Sequence, residues 1–280
     1  MHKYTHILYH RGCPDGFGAA FAAWLSLGDQ ATYIPVQYGE DPPALPPDAQ
    51  VLLVDFSYKR PVLETLRSRV AALTVLDHHK TAQADLMGLP DTHFDMDHSG
   101  AVLCWQHFHP EVPRVPALFL YLQDRDLWRW ELPHSAEVSA AIMSWPFDFK
   151  TWNHLFMRFP DEISPELINE GAAILRAKDQ QIEATLKNTF LSEVAGATVP
   201  VVNTNMHISE TLNELCRKRP EYAFAAAYFD LPTGKRKWSL RSVGDCDVAE
   251  ISKRHGGGGH MHAAGFESDP EILINKGRLQ

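Results

Sequence analysis

Acidic and imidazole side chains follow three short apolar segments early in the chain, and each segment has the composition of a buried strand. In an open α/β sheet, ligands bind just beyond the carboxyl ends of the strands. Carboxylate oxygens and imidazole nitrogens gathered at that edge predict a site for one or two divalent cations. The residues concerned are His10, Asp15, Asp55, Asp77, His78 and His79.

Each of these residues has a simpler interpretation when it is taken alone. Asp55 or Asp77 could cap a helix or end a strand, and two adjacent histidines are more often a loop pair than ligands. Their occurrence at successive strand ends favours a shared site. Asp124, which follows an apolar helical segment, adds a further carboxylate.

A run of four glycines at residues 256–259 is the second chemical feature, and His260 follows it directly. Consecutive glycines cost backbone entropy and offer no side-chain packing, so a flexible linker is one interpretation. A loop whose backbone N–H groups approach an anion explains the composition better. Arg241 could donate to the same phosphate, although a surface charge on an edge strand explains it equally well.

The elements that must position these residues alternate along the first half of the chain. This βαβ pattern predicts an α/β fold with a doubly wound, mainly parallel sheet. The predicted strands are residues 5–10, 31–36, 51–54 and 73–76, and the predicted helices are residues 18–27, 61–69, 102–108 and 117–122.

A long helix is predicted to begin at Ser164, Pro165 and Glu166, which suit the N-cap, the first turn and the helix dipole. The aromatic-rich residues 128–159 before it are predicted to form short helices and loops. After it a second, smaller α/β alternation follows. Its predicted strands are residues 198–202, 222–229 and 237–242, and its predicted helices are residues 208–217 and 248–254.

The bulk composition limits the partners. With 280 residues there is room for two domains, and 26 basic against 35 acidic residues give a net charge of −9, which argues against a surface for long duplex nucleic acid. The four cysteines form no CxxC pair, which favours reduced thiols and a cytoplasmic protein. No apolar stretch approaches the roughly 20 residues that span a bilayer, so no membrane partner is expected.

Taken together, the motifs resemble those of the DHH phosphoesterases with a DHH-associated C-terminal domain, which include nano-RNA hydrolases, RecJ-like exonucleases and cyclic-dinucleotide phosphodiesterases. The resemblance covers nearly the whole chain in the right order. It implies a metal-binding catalytic domain at residues 1–160, a helical linker at 161–192 and a substrate-binding domain at 193–280. The matching positions are His10, Asp15, Gly16, Asp55, Asp77, His78, His79, Asp124, residues 239–242 and residues 256–260.

The resemblance also implies roles for single residues. One ion, expected to be Mn²⁺ with Mg²⁺ or Co²⁺ as alternatives, would be held by His10, Asp15 and Asp55. A second ion would be held by Asp55, His78 and Asp124, so that Asp55 bridges the two. His79 would face the phosphate and Asp77 would orient the histidine pair. The residues implied to hold the substrate are Arg241, Gly257, Gly258, Gly259 and His260.

One departure from the family pattern concerns the first motif, where many members have a second Asp and this chain has Phe17. Either one ion loses a carboxylate, so that one or two ions bind, or Asp15 serves both ions. Asp126 could compensate, although it matches no ligand of the family.

The predicted chemistry is direct hydrolysis of a phosphoester, because two divalent ions can activate water and clamp the phosphate without a protein nucleophile. The favoured substrates are short oligonucleotides or dinucleotides, with 5′-mononucleotides as products. A 3′-phosphoadenosine 5′-phosphate phosphatase and a cyclic-dinucleotide phosphodiesterase are alternatives. A nucleotide-binding sensor with weak or lost catalysis is a third, favoured by Phe17.

Overall fold

The computed structural model describes residues 4–158, 163–271, 273 and 275–278. The chain divides into two compact units between Ile174 and Leu175. This division falls within the predicted linker, whose bounds of 161 and 192 stay a prediction. No helix among the described residues is long and apolar enough to cross a membrane.

The first unit contains a five-stranded sheet in which every pairing is parallel, with the order β2-β1-β3-β4-β5. Tyr9 lies beside Val54, and Val54 lies beside Leu76, so that three neighbouring strands end at the same level. The strands are β1 (His6–His10), β2 (Thr32–Val36), β3 (Gln50–Val54), β4 (Ala72–Asp77) and β5 (Thr92–Phe94).

Apolar side chains pack on both faces of this sheet, as a doubly wound fold requires. Ile7 and Leu52 belong to one cluster, and Leu8 and Leu53 belong to another. The helices of the first unit are α1 (Pro14–Leu27), α2 (Arg60–Arg67), α3 (Lys80–Asp85), α4 (Gly100–Phe108), α5 (Ala117–Asp126), α6 (Ser135–Ser144) and α7 (Phe149–Arg158). Helix α8 (Pro165–Leu186) contains the division between the units.

Phe17 lies inside an aromatic cluster of the first unit. Its side chain is 2% exposed, and its ring lies 5.1 Å from that of Phe149 and 4.8 Å from that of Trp152. The side chain at this position therefore packs in the core, where an unpaired carboxylate would be costly.

The second unit has a seven-stranded mixed sheet in the order β10-β11-β9-β8-β7-β6-β12, in which only β7 and β8 pair in parallel among the described strands. Helix α9 packs against β8 and β9, and α10 packs against β10 and β11. The elements are β6 (Phe190–Val194), β7 (Ala197–Asn203), α9 (Ile208–Lys218), β8 (Ala225–Asp230), β9 (Arg236–Arg241), α10 (Val248–Arg254), β10 (Gly258–His260), β11 (Ala263–Ser268) and β12 (Gly277–Arg278).

The predicted α/β class with a parallel, doubly wound sheet and a smaller second α/β sheet is confirmed. Two local predictions are wrong. The glycine run is not entirely a loop, because Gly258–His260 pairs with β11, and helix α5 continues four residues beyond the predicted 122. The short elements α3 and β5 and the strands β6, β11 and β12 were not predicted.

Candidate metal centre

The ends of β1, β3 and β4 bring the predicted ligands of the first unit to one edge of the sheet. The strand order 2-1-3-4-5 makes β1 and β3 the neighbours at which the direction of winding changes, which is where such sheets bind ligands. His10 is the last residue of β1, Asp55 follows β3, and Asp77 ends β4.

Asp55 lies between two imidazole rings. Its Oδ1 atom is 3.0 Å from Nε2 of His78, and its Oδ2 atom is 3.7 Å from Nδ1 of His10. The side chain is buried, and Oδ2 has no hydrogen-bond partner among the described residues. Because buried carboxylate oxygens are normally satisfied, this orphaned atom between ligand-type nitrogens fits a divalent cation.

Nε2 of His78 faces three carboxylates, since it lies 3.0 Å from Asp55, 3.5 Å from Asp126 and 3.7 Å from Asp15. Burial by itself would lower the pKa of His78. The hydrogen bond to Asp55 and the charges of Asp15 and Asp126 outweigh burial and raise this pKa to about 9. In the metal-free protein an imidazolium therefore supplies the positive charge that the carboxylates need.

The neighbouring carboxylates titrate in different directions. Burial would raise the pKa of Asp55, but the nearby imidazoles of His10 and His78 lower it to about 2. Burial and the charge of Asp55 raise the pKa of Asp15 and that of Asp126. Crowded like charges of this kind are stabilised by a bound cation.

Asp15 is tied to the first turn of α4. Its Oδ2 accepts a hydrogen bond from the N–H of Gly100 at 2.6 Å, and its Oδ1 accepts one from the N–H of Ala101 at 3.1 Å. A Cβ atom on Gly100 would lie 2.5 Å from Cβ of Asp55, so only glycine allows α4 to approach this closely. Helix α4 thus buries Asp15 and closes one side of the centre.

Other donors hold the carboxylate of the predicted ligand Asp124, whose role as a ligand stays a prediction. Its carboxylate accepts hydrogen bonds from the N–H groups of Glu131 at 3.0 Å and Leu132 at 3.3 Å, and from Oγ of Ser135. Of these two carboxylates of α5, it is that of Asp126 that approaches His78. Residues two apart on a helix differ by about 200° around its axis, so α5 directs the two carboxylates to opposite sides.

Asp77 positions both histidines of its motif. Its Oδ1 accepts hydrogen bonds from the main-chain N–H of His78 at 2.7 Å and pairs with Nδ1 of His79 at 2.6 Å. Its Oδ2 accepts a hydrogen bond from Oγ of Ser57 at 2.6 Å. The hydrogen bond to Asp77 raises the pKa of His79, which is partly exposed.

Among the residues that the structure describes, three groups of side chains each place ligand atoms within 4.8 Å of one another. They are Asp55, Asp77, His78 and His79; His10, Cys13 and Asp55; and Asp15, His78 and Asp126.

The structure thus brings together His10, Asp15, Asp55, Asp77, His78 and His79, as predicted for one sheet edge. Two further residues of this cluster were not predicted from the sequence. They are Cys13 and Gln37, whose Oε1 lies 3.2 Å from Nε2 of His10. The spacing of His10 and Cys13 across a tight turn was the available signal for Cys13.

The predicted substrate residues of the second unit cluster around the paired strands β9, β10 and β11. Arg241 and His260 both lie opposite Ala263 in their pairings with β11. The guanidinium of Arg241 donates to Oγ of Ser209 at 2.8 Å, and burial lowers the pKa of Arg241.

The glycines of this unit differ in their surroundings. A Cβ atom on Gly257 would lie 2.1 Å from the carbonyl oxygen of Gly265, and one on Gly259 would lie 2.5 Å from that of Ala263. Apart from its chain neighbours, no described residue has an atom within 4 Å of a Cβ placed on Gly258. Packing therefore requires glycine at Gly257 and Gly259, whereas packing does not explain the glycine at Gly258.

The chain has relatives among curated proteins, although no protein-family model matches it. It is 29% identical over 283 residues to an uncharacterized protein of Acanthamoeba polyphaga mimivirus, and the match covers 93% of this chain and 66% of that protein. It is 33% identical over 107 residues to oligoribonuclease NrnB of Bacillus subtilis, covering 35% of this chain and 25% of NrnB. The chain therefore spans just under two thirds of the first relative and a quarter of the second.

Two solved structures share the fold. The pGpG-specific phosphodiesterase PggH from Vibrio cholerae has a TM-score of 0.51 at 13% identity, covering 95% of this chain and 94% of PggH. RecJ in complex with Mn²⁺ from Thermus thermophilus has a TM-score of 0.52 at 14% identity, covering 95% of this chain and 50% of RecJ. The resemblance to the DHH phosphoesterases is confirmed at the level of the fold.

Proposed function

We propose that the chain is a metal-dependent DHH-type phosphoesterase that hydrolyses phosphodiester bonds of short oligonucleotides or dinucleotides to 5′-mononucleotides. The observation that carries this proposal is the buried Asp55 carboxylate between His10 and His78, with one oxygen lacking a partner among the described residues. A nucleotide-binding sensor would have no need of so costly an arrangement.

The residues fit two ion positions that share Asp55. His10 and one oxygen of Asp55 would hold one ion, and His78, Asp15, Asp126 and the other oxygen of Asp55 would hold the second. Bound divalent ions would polarise the phosphoryl group and lower the pKa of the attacking water. Mn²⁺ is the first candidate, because carboxylate and imidazole ligands suit it.

The protein's own groups have separate roles in this proposal. Asp77 holds His79 through Nδ1, which leaves Nε2 of the partly exposed ring to donate a hydrogen bond to a phosphoryl oxygen. Gln37 holds Nε2 of His10 and so directs Nδ1 at Asp55. In the second unit, Arg241, His260 and the main chain of Gly257, Gly258 and Gly259 would bind phosphate oxygens.

The relatives support a small nucleotide substrate. NrnB is named an oligoribonuclease, and PggH is named a pGpG-specific phosphodiesterase. RecJ was solved with Mn²⁺, which supports the choice of ion. The net charge of −9 also favours small substrates over long nucleic acids, because the negative protein surface would repel the phosphates that extend beyond a local cationic site.

The test is a substrate panel with the full chain, freed of metal by a chelator and then supplied with Mn²⁺. The panel contains pApA, pGpG, a cyclic dinucleotide and 3′-phosphoadenosine 5′-phosphate. We expect the unaltered chain to release 5′-mononucleotides from pApA or pGpG when Mn²⁺ is present. We expect the Asp55→Asn variant to release none. Turnover of only the cyclic dinucleotide or the bisphosphate would select one of those alternatives. Tight nucleotide binding without product from any substrate would select the sensor.

A further inference from the structure

Cys13 lies in the candidate metal centre although the sequence pattern assigned it no role. Its Sγ atom, a ring nitrogen of His10 and a carboxylate oxygen of Asp55 all lie within 4.8 Å of one another. The positive φ of 69° at Gly12 turns the chain after β1, so that Cys13 returns toward the end of that strand. Cys13 is half-buried and forms no disulfide.

Among the described residues, the group at His10 contains one carboxylate, that of Asp55. Both oxygens of Asp15 accept hydrogen bonds from the first turn of α4, and Asp15 groups with His78 and Asp126 instead of His10. The Phe17 ring is buried in the aromatic cluster.

Two observations point to a ligand at this position. The Oδ2 atom of the buried Asp55 faces His10 and has no hydrogen-bond partner among the described residues. Cys13 is the N-cap of α1, and its side chain makes no capping hydrogen bond there. Burial and the charges of Asp55, Asp15 and Asp126 raise the pKa of the Cys13 thiol in the metal-free protein, so the thiolate would form only together with the bound ion.

We propose that Cys13 is a thiolate ligand of the ion held by His10 and Asp55, in the place of the carboxylate that the family pattern has and this chain lacks. The proposal rests on the proposed function. On binding, Sγ releases its proton to solvent and forms one bond to the ion, so that no oxidation or reduction takes place.

The two ion positions then differ in chemistry. A sulfur, nitrogen and oxygen set at Cys13, His10 and Asp55 favours softer ions such as Zn²⁺, Co²⁺ or Fe²⁺. The oxygen and nitrogen set at Asp15, His78 and Asp126 suits Mn²⁺ or Mg²⁺. The protein would then bind two different ions, one at each position. Oxidation of Cys13 would weaken binding at its position.

Co²⁺ titration of the metal-free full chain tests the proposal, because a cobalt–thiolate bond gives an intense charge-transfer band in the near ultraviolet. We expect this band in the unaltered chain and in Cys246→Ser, a matched control at another partly exposed thiol. We expect Cys13→Ser to lose the band and to bind its first Zn²⁺ at least about 10-fold more weakly, as even the loss of an outer-shell partner does. Cys13→Asp should lose the band and shift preference from Zn²⁺ toward Mn²⁺.

The experiment distinguishes a failure of the Cys13 role from a failure of the proposed function. Stoichiometric Co²⁺ binding without the band, or a band that survives in Cys13→Ser, would overturn the role of Cys13 and leave the proposed function intact. If the unaltered chain bound no Co²⁺, Zn²⁺ or Mn²⁺ at all, the metal-dependent function itself would fail, and the role of Cys13 with it.

Discussion

Nε2 of His78 lies 3.5 Å from Oδ2 of Asp126. Asp126 is the last residue of α5, and burial and the like charge of Asp55 raise its pKa. A carboxylate such as that of Asp126, held near another negative charge, destabilises the metal-free fold. The same carboxylate is available to bind a cation.

The first prediction compares Asp126→Asn with Asp124→Asn. We expect Asp126→Asn to weaken divalent-ion binding and activity by more than about 100-fold while thermal stability is kept or raised, because like-charge repulsion is relieved. Asp124→Asn should instead lose about 2 kcal/mol of unfolding free energy, because one acceptor for Glu131, Leu132 and Ser135 becomes a donor. Calorimetric metal titration and urea unfolding separate the two effects. Similar losses of metal affinity in both variants would contradict the assignment of Asp126.

The second prediction concerns Asp55. Its φ of 51° lies in the left-handed region, which Asn tolerates better than Ala does. Asp55→Asn therefore removes the charge with less backbone strain than Asp55→Ala. As the residue shared by both ion positions, Asp55→Asn should abolish binding of both ions and lower activity by more than about 100-fold. Circular dichroism checks that the fold survives. Retention of two bound Mn²⁺ ions per chain would show that Asp55 does not bridge.

The third prediction concerns Asp77→Asn. The hydrogen bond that the His79 ring donates to the Asp77 carboxylate is the first cause of the raised pKa of His79, so in this variant the pKa should fall toward its ordinary value of about 6.5. Metal affinity should drop by about 10–100-fold, because His78 loses its positioning partner. Proton NMR titration of the His79 ring measures the shift, with Ser57→Ala as a control that keeps the carboxylate. An unchanged His79 pKa in Asp77→Asn would contradict the orienting role.

The fourth prediction follows from the pKa of about 9 at His78. This pKa exceeds the ordinary value of about 6.5, so the metal-free protein holds the imidazolium at neutral pH. Because an ion binds only the neutral ring, metal affinity should rise as pH increases toward 9, and binding near pH 7.5 should release a proton from His78. Calorimetry in buffers of different ionisation enthalpy counts the protons. His78→Gln should release about one proton fewer than the unaltered chain.

The metal-free protein should show the matching stability profile. The raised pKa of His78 stabilises the fold fully below about pH 6.5, and this contribution is lost as pH rises through 9. A thermal midpoint that did not fall between pH 7 and pH 9 in the chelator-treated chain would contradict the imidazolium.

The fifth prediction compares adjacent glycines of the second unit. Gly258→Ala should fold normally, because the new methyl group meets no described atom within 4 Å, whereas Gly257→Ala should lose about 1–3 kcal/mol through its clash with Gly265. If the main chain at Gly258 binds a phosphate, Gly258→Ala should raise KM while metal affinity is unchanged. Thermal unfolding and steady-state kinetics measure these effects. An unchanged KM in Gly258→Ala would remove Gly258 from the substrate site.

Local sequence determined the elements and the set of candidate ligands. Apolar runs of four to six residues predicted β1, β3 and β4, since strands buried on both faces need continuous apolar side chains. The rule that ligands bind at the carboxyl ends of such strands then selected His10, Asp55, Asp77 and His78 without knowledge of their contacts. Helix α8 was equally local, because its capping residues lie next to one another in sequence.

The tertiary structure decided which of these side chains meet. The sequence does not show that the first turn of α4, some 85 residues later, donates to the Asp15 carboxylate, nor that Cys13 groups with His10 and Asp55. The choice between Asp124 and Asp126 depended on which side of α5 faces the sheet edge, and their apolar neighbours do not resolve this. Long-range packing fixes both, because a carboxylate is committed by the donors around it and not by its neighbours in the chain.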